Sequence, residues 1–231
     1  MNNQAKLKQE AALRAVEFIE SGMVVGLGSG STARFATERI GALLRQKRLQ
    51  NIIAIPSSID TENLARSLEI PLSTFEDYPQ IDVTIDGADE VDNRLNLIKG
   101  GGGALLREKV LAQASRKNII VVDESKVSEH LGETWALPIE VVPFAQRTVT
   151  DFLTKLGAGV ELRRNIAGKP YLTDQQNIIL DARFGPMPSP EDIAAALNRC
   201  AGIVEHGLFL GLATLVIVAA NDGIQVLDRK L

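Results

Sequence analysis

Short apolar runs alternate with amphipathic stretches through the first half of this chain. The apolar runs predict buried strands at residues 23–27, 52–55, 81–85 and 119–122. The stretches around them carry apolar residues at helical spacing and predict helices at residues 4–21, 33–48, 61–69 and 103–116. Strands that alternate with helices indicate right-handed βαβ units. We therefore expect an α/β domain with a mostly parallel sheet.

The pattern changes after about residue 135. Strands are predicted at 137–142, 159–164 and 177–184, with helices at 145–156 and from Ser189 to about Arg199. Ser189 is the expected N-cap, with Pro190 in the first turn and Asp192 reaching back. The order β-α-β-β-α-β, closing near Ile203, predicts a small ferredoxin-like α+β domain. The predicted domains are residues 1–134, residues 135–206, and residues 207–231 as a return to the first domain.

Composition and charge narrow the class of protein. The 231 residues are 45% hydrophobic and 23% charged, with a net charge of −4, as in an ordinary soluble globular protein. Basic residues form no long run, which argues against a nucleic-acid partner. Residues 1–20 lack the apolar core of a signal peptide, and the apolar run Leu208 to Ala220 is too short to cross a membrane. With one cysteine and two histidines, a Cys/His metal site is nearly excluded. A cytoplasmic enzyme or sensor is favoured.

A glycine-rich loop follows the first predicted strand. Residues 28–33, Gly-Ser-Gly-Ser-Thr-Ala, fit G-x-G-x-x-A, which serves as a dinucleotide fingerprint or as a phosphate cradle at a helix N-terminus. The dinucleotide version needs an acidic residue at the end of the second strand, where this chain has Pro56-Ser57-Ser58. Hydroxyls from Ser29, Ser31 and Thr32 suit phosphate or sugar oxygens. A small-anion cradle is therefore favoured over a dinucleotide site and over a structural turn.

Carboxylates crowd the turn after the third predicted strand. Asp86 and Asp89 lie three positions apart, and such clustering makes one of them a candidate acid. A magnesium site or a solvated turn are the alternatives, although the EF-hand spacing is absent and Mg²⁺ usually needs substrate phosphates as well. Lys99 and four glycines follow, where a cation and bare backbone amides can hold negative charge. This set suits proton transfer on a small anionic substrate.

Glu108 lies within the fourth predicted helix. Its neighbours three and four positions away are all apolar, namely Ala104, Leu105, Leu111 and Ala112. Glu108 should therefore face protein, either in a salt bridge to Lys99 or Lys126 or as a catalytic base tuned by desolvation. The base is the favoured interpretation, whereas Lys126 is equally a ligand contact or an exposed side chain. Since ligands bind at the carboxyl ends of parallel strands, we expect the motifs to meet at one edge of the sheet.

Taken together, these motifs resemble those of type A ribose-5-phosphate isomerases over essentially the full length of the chain. The matching segments, in order, are residues 26–32 (GLGSGST), 86–90 (DGADE), 99–104 (KGGGGA), 107–109 (REK), 123–126 (DESK) and 204–209 (VEHGLF). The resemblance implies interconversion of ribose 5-phosphate and ribulose 5-phosphate in the non-oxidative pentose phosphate pathway, without metal or organic cofactor. It also implies a Rossmann-like domain carrying a smaller α/β domain, assembled as homodimers or homotetramers. Ser29 is a small departure, because the family often has threonine there.

The resemblance also implies a role for each matching residue. Glu108 would shuttle a proton between C1 and C2 through an enediolate, and Asp86 would assist ring opening. Lys99 and neighbouring amides would stabilise the enediolate oxygens, while Asp89 would hold or exchange protons with sugar hydroxyls. The implied substrate contacts are Ser29, Gly30, Ser31, Thr32, Asp86, Gly87, Ala88, Asp89, Lys99, Gly100, Gly101, Gly102 and Lys126. The alternative functions are a sugar-phosphate-binding sensor and a coenzyme A transferase-like protein of the same superfamily fold.

Overall fold

The computed structural model describes residues 3–229, which divide into two compact units. The first unit contains residues 3–88, 107–126 and 211–229, and the second contains residues 89–106 and 127–210. The chain crosses between the two units four times, whereas the domains expected from sequence need two crossings. The difference arises because residues 89–106 and 127–134 belong to the second unit. Helices and strands lie close to the predicted positions in most of the chain.

Six α-helices, two short 3₁₀ helices and thirteen strands are assigned among the described residues. The α-helices are α1 (Asn3–Val16), α2 (Ser31–Arg45), α3 (Ile59–Ser67), α4 (Leu105–Ala114), α5 (Gln146–Lys155) and α6 (Pro190–Leu197). The strands are β1 (Val24–Leu27), β2 (Ile53–Pro56), β3 (Ile81–Asp86), β4 (Glu90–Val91), β5 (Leu97–Ile98), β6 (Ser115–Asp123), β7 (Leu137–Val141), β8 (Gly159–Leu162), β9 (Ile178–Arg183), β10 (Ile203–His206), β11 (Leu208–Phe209), β12 (Leu215–Ala220) and β13 (Gly223–Asp228).

The first unit is built on a six-stranded sheet in the order β13-β12-β6-β3-β1-β2. Its pairings are parallel except for β12 with β13, which form an antiparallel hairpin. Apolar side chains of the central strands, such as Ile85 and Val121, join one buried cluster with α1 and α2. The expected α/β domain with a mostly parallel sheet is confirmed. Because β6, β3, β1 and β2 are adjacent and parallel, the segments that follow them begin at one edge of the sheet.

The second unit contains a four-stranded antiparallel sheet in the order β10-β7-β9-β8. Numbered within the β-α-β-β-α-β segment, this order is 4-1-3-2, which confirms the ferredoxin-like arrangement. Ser189 occupies the N-cap of α6, but its side chain makes no capping hydrogen bond, contrary to the expected capping box. The link between Ser189 and Asp192 is instead a backbone bond from the Asp192 N–H to the Ser189 carbonyl.

A small three-stranded sheet in the second unit was not anticipated from the sequence. It has the order β11-β5-β4, and its strands have two residues each, too few for a period to be visible. Strands β4 and β5 pair so that Glu90 lies opposite Ile98. This pairing brings Asp89 beside the lysine-glycine segment, because Asp89 immediately precedes β4 and Lys99 immediately follows β5.

Candidate active site

The loop after β1 approaches the carboxylate at the end of β3 very closely. Asp86 is 2% exposed, and its Oδ1 accepts hydrogen bonds from the N–H groups of Ser29 at 3.1 Å and Gly87 at 2.8 Å. A β-carbon on Gly28 would lie 2.2 Å from that Oδ1 and 2.6 Å from the Asp86 Cα, so only glycine fits there. Backbone amides therefore fix the Asp86 carboxylate. Ala88, two positions later, is partly buried and is the last residue before the second unit.

The N-terminus of α2 carries the features of an anion cradle. Gly30 is its N-cap, with φ 95°, and Ser31 and Thr32 form the first helical residues. Because a glycine N-cap has no side chain to accept from the first-turn amides, those donors suit an oxyanion. Lys8 on α1 places its Nζ 3.2 Å from the Ser31 Oγ and adds a positive charge. A cavity of about 260 Å³ is lined here by residues that include Gly30 and Ser31.

The hydroxyl of Ser29 takes part in a cluster of four hydroxyl groups. Its Oγ lies 2.8 Å from Ser57 Oγ, 2.7 Å from Ser58 Oγ and 3.1 Å from Thr61 Oγ1. Ser58 also caps α3 by accepting from the Thr61 N–H, and Thr61 Oγ1 donates to the carbonyl of Gly28. The serine pair after β2 thus braces the glycine-rich loop, and Ser29 has a structural task besides the substrate contact inferred from resemblance.

Glu108 lies in the first turn of α4 and is 5% exposed. Leu105 and Leu111, its neighbours on the helix, are buried as well, as the sequence pattern predicted. Lys109, the next residue of the helix, is buried as well. Lys126 ends a short 3₁₀ helix after β6, is partly exposed and belongs to the first unit.

Lys99 and Asp89 belong to the second unit. Lys99 is 3% exposed, its N–H donates to the carbonyl of Gly207 at 2.9 Å, and its Nζ lies 5.5 Å from the centre of the Phe209 ring. Asp89 donates its backbone N–H to Ile98, which sets it beside the lysine segment. A buried ammonium can stabilise developing negative charge on a bound substrate.

Gly100, Gly101, Gly102 and Gly103, which we call the glycine loop, form a tight turn. The Gly103 N–H donates to the Gly100 carbonyl at 2.9 Å, and the Gly101 N–H donates to Asp89 Oδ2 at 2.7 Å. A β-carbon on Gly101 would lie 2.5 Å from the Asp89 carboxylate, so this contact needs glycine. The N–H groups of Gly101 and Gly103 therefore donate within the second unit. The N–H groups of Gly100 and Gly102 are the candidates for contact with substrate oxygens.

Three residues that sequence reasoning missed hold this loop from the antiparallel sheet side. Arg163 Nη1 donates to the carbonyls of Gly100 at 2.8 Å and Gly101 at 3.0 Å, while its Nε and Nη2 donate to the carboxylate of Asp181. The Tyr171 hydroxyl donates to the Gly102 carbonyl at 3.1 Å. Burial, and then the negative charge of Asp174, raise the pKa of Tyr171, with Arg163 opposing.

The described part of the chain contains neither a candidate metal-binding cluster nor a candidate membrane-spanning helix. Among residues 3–229, no group of three or more His, Cys, Asp and Glu side chains is arranged to hold a metal ion. Over the same residues, no helix combines the length and the apolar character that a membrane span requires.

Comparison with known proteins gives one consistent family. Residues 53–223 match the family model of ribose 5-phosphate isomerase A (phosphoriboisomerase A). A curated relative from Desulfatibacillum aliphaticivorans, ribose-5-phosphate isomerase A, is 62% identical over 97% of this chain and 98% of its own length. The ribose 5-phosphate isomerase of Plasmodium falciparum is similar in structure, with TM-score 0.95 and 40% identity over 98% of this chain and all of that one. A D-ribose-5-phosphate isomerase solved with phospho-erythronic acid gives TM-score 0.96 at 38% identity, covering 99% of this chain and 100% of the other.

Proposed function

Because the chain belongs to the ribose 5-phosphate isomerase A family, we propose that it performs its aldose-ketose isomerisation with Glu108 as the base. The enzyme interconverts D-ribose 5-phosphate and D-ribulose 5-phosphate, and the sensor and transferase alternatives are not favoured. The single observation that carries the role of Glu108 is its burial in the first turn of α4, beside Leu105 and Leu111. A carboxylate held away from water is suited to take a proton from carbon.

The isomerisation moves one proton between carbons and one proton between oxygens. Glu108 removes the C2 proton of the open-chain aldose, the electrons form the C1–C2 double bond, and O1 takes the negative charge. Glu108 then returns the proton to C1, while the O2 proton passes to O1, so that C2 becomes the carbonyl carbon. No atom is lost or gained, and no oxidant is needed. We assign the oxygen-to-oxygen proton transfer to Asp89, whose Oδ2 is oriented by the Gly101 N–H.

Negative charge on the enediolate needs fixed donors. We assign this task to the Lys99 ammonium and to the N–H groups of Gly100 and Gly102 in the glycine loop. Such donors act by electrostatic stabilisation in a site from which water is excluded. Asp86, fixed by two backbone amides, is assigned to ring opening of the cyclic sugar.

The phosphate group is assigned to the cradle at the start of α2. First-turn amides, the hydroxyls of Ser31 and Thr32, and the Lys8 ammonium supply donors and positive charge there. Lys126, at the same sheet edge, is assigned as a further substrate contact. The phospho-erythronic acid bound by the related enzyme is itself a phosphorylated sugar acid, which supports a phosphosugar in a site of this kind.

The test of the base is Glu108→Gln, which keeps the shape of the side chain. We expect a folded variant that binds ribose 5-phosphate and loses exchange of the C2 proton with deuterated solvent by about 10²–10⁴-fold. Glu62→Gln is the matched control, because Glu62 also lies in the first turn of a helix but is paired with Arg66 at the surface. Exchange above about a tenth of the wild-type rate in Glu108→Gln would place the base elsewhere, with Asp86 as the next candidate.

Three further properties are proposed for the same protein. We propose a homodimer or homotetramer, and the fully exposed Phe144 and Ile166 of the second unit are apolar surface that a second copy could cover. We propose a cytoplasmic location, in keeping with the single Cys200. We propose activity without metal or organic cofactor. Sedimentation addresses the first property, and assay after dialysis against a strong chelator addresses the last, since restoration by Mg²⁺ would contradict it.

A further inference from the structure

The glycine loop is held on its carbonyl side by a set of side chains that we call the carbonyl clamp, namely Arg163, Asp181 and Tyr171. We propose that Arg163, fixed by Asp181, is a positioning residue for the isomerisation, because it sets the direction of two loop amides: the Gly102 N–H, which we assign to the enediolate, and the Gly101 N–H, which orients Asp89. This inference rests on the proposed role of Lys99 and the glycine loop. It adds a residue that touches neither the substrate nor the reacting atoms.

The geometry of the peptide group links each carbonyl of the glycine loop to the N–H of the next residue. In a planar trans peptide, the carbonyl of one residue and the N–H of the next point in opposite directions. Arg163 holds the Gly100 carbonyl, and the N–H of Gly101 accordingly points away and meets Asp89 Oδ2 at 2.7 Å. Arg163 also holds the Gly101 carbonyl, which by the same geometry directs the Gly102 N–H away from the guanidinium. One guanidinium therefore orients two successive amides.

Such an external hold is needed because the segment is all glycine. Gly100 and Gly103 have φ of 99° and 85°, and glycine backbones exchange readily between conformations. Without a hold, the amide directions would be set anew at each turnover, and stabilising donors act best when they are oriented beforehand. Tyr171 holds the next carbonyl, that of Gly102, and its ring fills the space beside Gly103.

Arginine is suited to this task in a way that lysine is not. The guanidinium of Arg163 uses Nε and Nη2 for a two-point contact with Asp181 and Nη1 for the two carbonyls. The Arg163 side chain is 15% exposed, so the ion pair is shielded and its plane is fixed. A lysine ammonium is a point charge on a flexible stem and cannot reproduce this fork.

The clamp residues are themselves anchored by backbone pairing. Arg163 follows β8, and its N–H donates to Ile179 on β9, the strand that carries Asp181. Its carbonyl accepts from the N–H of Tyr171 at 2.9 Å. Arg163 and Tyr171 are thus paired directly, and both clamp contacts arise from one piece of antiparallel structure.

The central experiment is steady-state kinetics of Arg163→Lys together with amide hydrogen exchange of the glycine loop. We expect kcat to fall roughly 10–10²-fold, as misplacement of catalytic groups by about an ångström can do. KM should change by no more than about threefold, and exchange at residues 100–103 should accelerate. Arg183→Ala is the matched control, because Arg183 ends β9 and lines the same 670 Å³ cavity as Arg163 and Gly101. Its kcat and loop exchange should remain at wild-type values.

A second variant keeps the test decisive if loss of one charge impairs folding. Arg163→Ala with Asp181→Ala removes both partners, which avoids leaving a partly buried carboxylate unpaired. We expect this folded double variant to show the same fall in kcat. In Arg163→Ala alone, added guanidinium chloride at low millimolar concentration should recover part of kcat, because a small planar cation can occupy the place beside Asp181.

Failure of this inference and failure of the proposed function give different results. If Lys99→Ala lowers kcat but Arg163→Lys leaves kcat and loop exchange unchanged, the positioning role is wrong and the loop's role stands. A fall in kcat of Arg163→Lys without faster loop exchange also overturns the positioning role. If Lys99→Ala raises KM alone, Lys99 does not stabilise the enediolate. The charge-stabilising role assigned to Lys99 and the glycine loop then falls, and with it the positioning role of Arg163.

Discussion

Two glycine-rich segments of this protein present backbone amides in different ways. The cradle at Gly28 to Thr32 runs into α2, so helical geometry sets the direction of its first-turn N–H groups. The glycine loop after Lys99 runs into no such frame before Leu105, and side chains of the carbonyl clamp set its direction instead. The amide directions of the cradle depend on residues that are close in sequence. Those of the glycine loop depend on distant residues, since Arg163 lies 63 positions from Gly100.

The difference predicts separate kinetic signatures. A cradle for phosphate contacts a group that does not change during the reaction, so its loss should weaken the ground state and the transition state alike. A loop that faces the enediolate contacts charge that develops only during the reaction, so its loss should lower kcat. Substitutions in the two segments therefore test whether each segment has the role assigned to it.

The largest expected effect within this comparison belongs to Lys99→Ala. If the buried ammonium faces the enediolate, kcat should fall by roughly 10²–10³-fold while KM changes little, as for other oxyanion-stabilising donors. Lys117→Ala is a control, because Lys117 Nζ also lies over a phenylalanine ring, that of Phe18 at 4.9 Å, but on β6 outside the site. Equal losses in the two variants would trace the effect to packing.

Gly30→Val should give an intermediate effect with the opposite signature. With φ 95° and ψ 177°, Gly30 occupies a conformation that side chains rarely adopt, which costs about 1–3 kcal/mol. Calorimetry with a pentose-phosphate analogue that does not react should show affinity weakened by about tenfold, equivalent to about 1.4 kcal/mol, with kcat for ribose 5-phosphate nearly kept. Gly22→Val, also at positive φ but outside the cradle, controls for general strain. Unchanged affinity would make the loop a structural turn.

Tyr171→Phe should give the smallest effect of the three. It removes one hydrogen bond to the Gly102 carbonyl, worth about 0.5–1.5 kcal/mol, so kcat should fall roughly two- to tenfold. Because burial raises the pKa of Tyr171 above its usual value of 10.0, the donor is present at every pH below 10 and is lost only above it. The ratio of wild-type to variant kcat should therefore be constant between pH 7 and pH 9. A ratio that declines within that range would contradict the assignment.

The sequence predicted most of the fold because strand and helix periods are local. It placed β1 and β3 within a residue or two and gave the order of the small domain. It underestimated β6, which begins at Ser115, because the first residues of that strand are polar and exposed. The two-residue strands β4, β5 and β11 carry no period that could be recognised.

The residues of the candidate site also differ in whether local sequence could predict them. Glu108, Asp86 and the cradle could be proposed from residue type and spacing, since each lies next to a predicted element. Lys8 and Arg163 could not, because their contacts join segments that only the tertiary fold brings together. Ser29 shows the converse, since its hydroxyl suggested a ligand contact and the structure gives it three hydroxyl neighbours of its own.

The interleaving of the two units has a consequence for how this protein can be cut or recombined. The chain passes between them at residues 88/89, 106/107, 126/127 and 210/211. No contiguous stretch of the gene therefore encodes either unit whole, and a single proteolytic nick cannot liberate one as an intact fragment. Exchange of the second unit between relatives must replace two separate segments together, residues 89–106 and 127–210. Neither unit can therefore be transferred to another protein as one continuous segment of the gene.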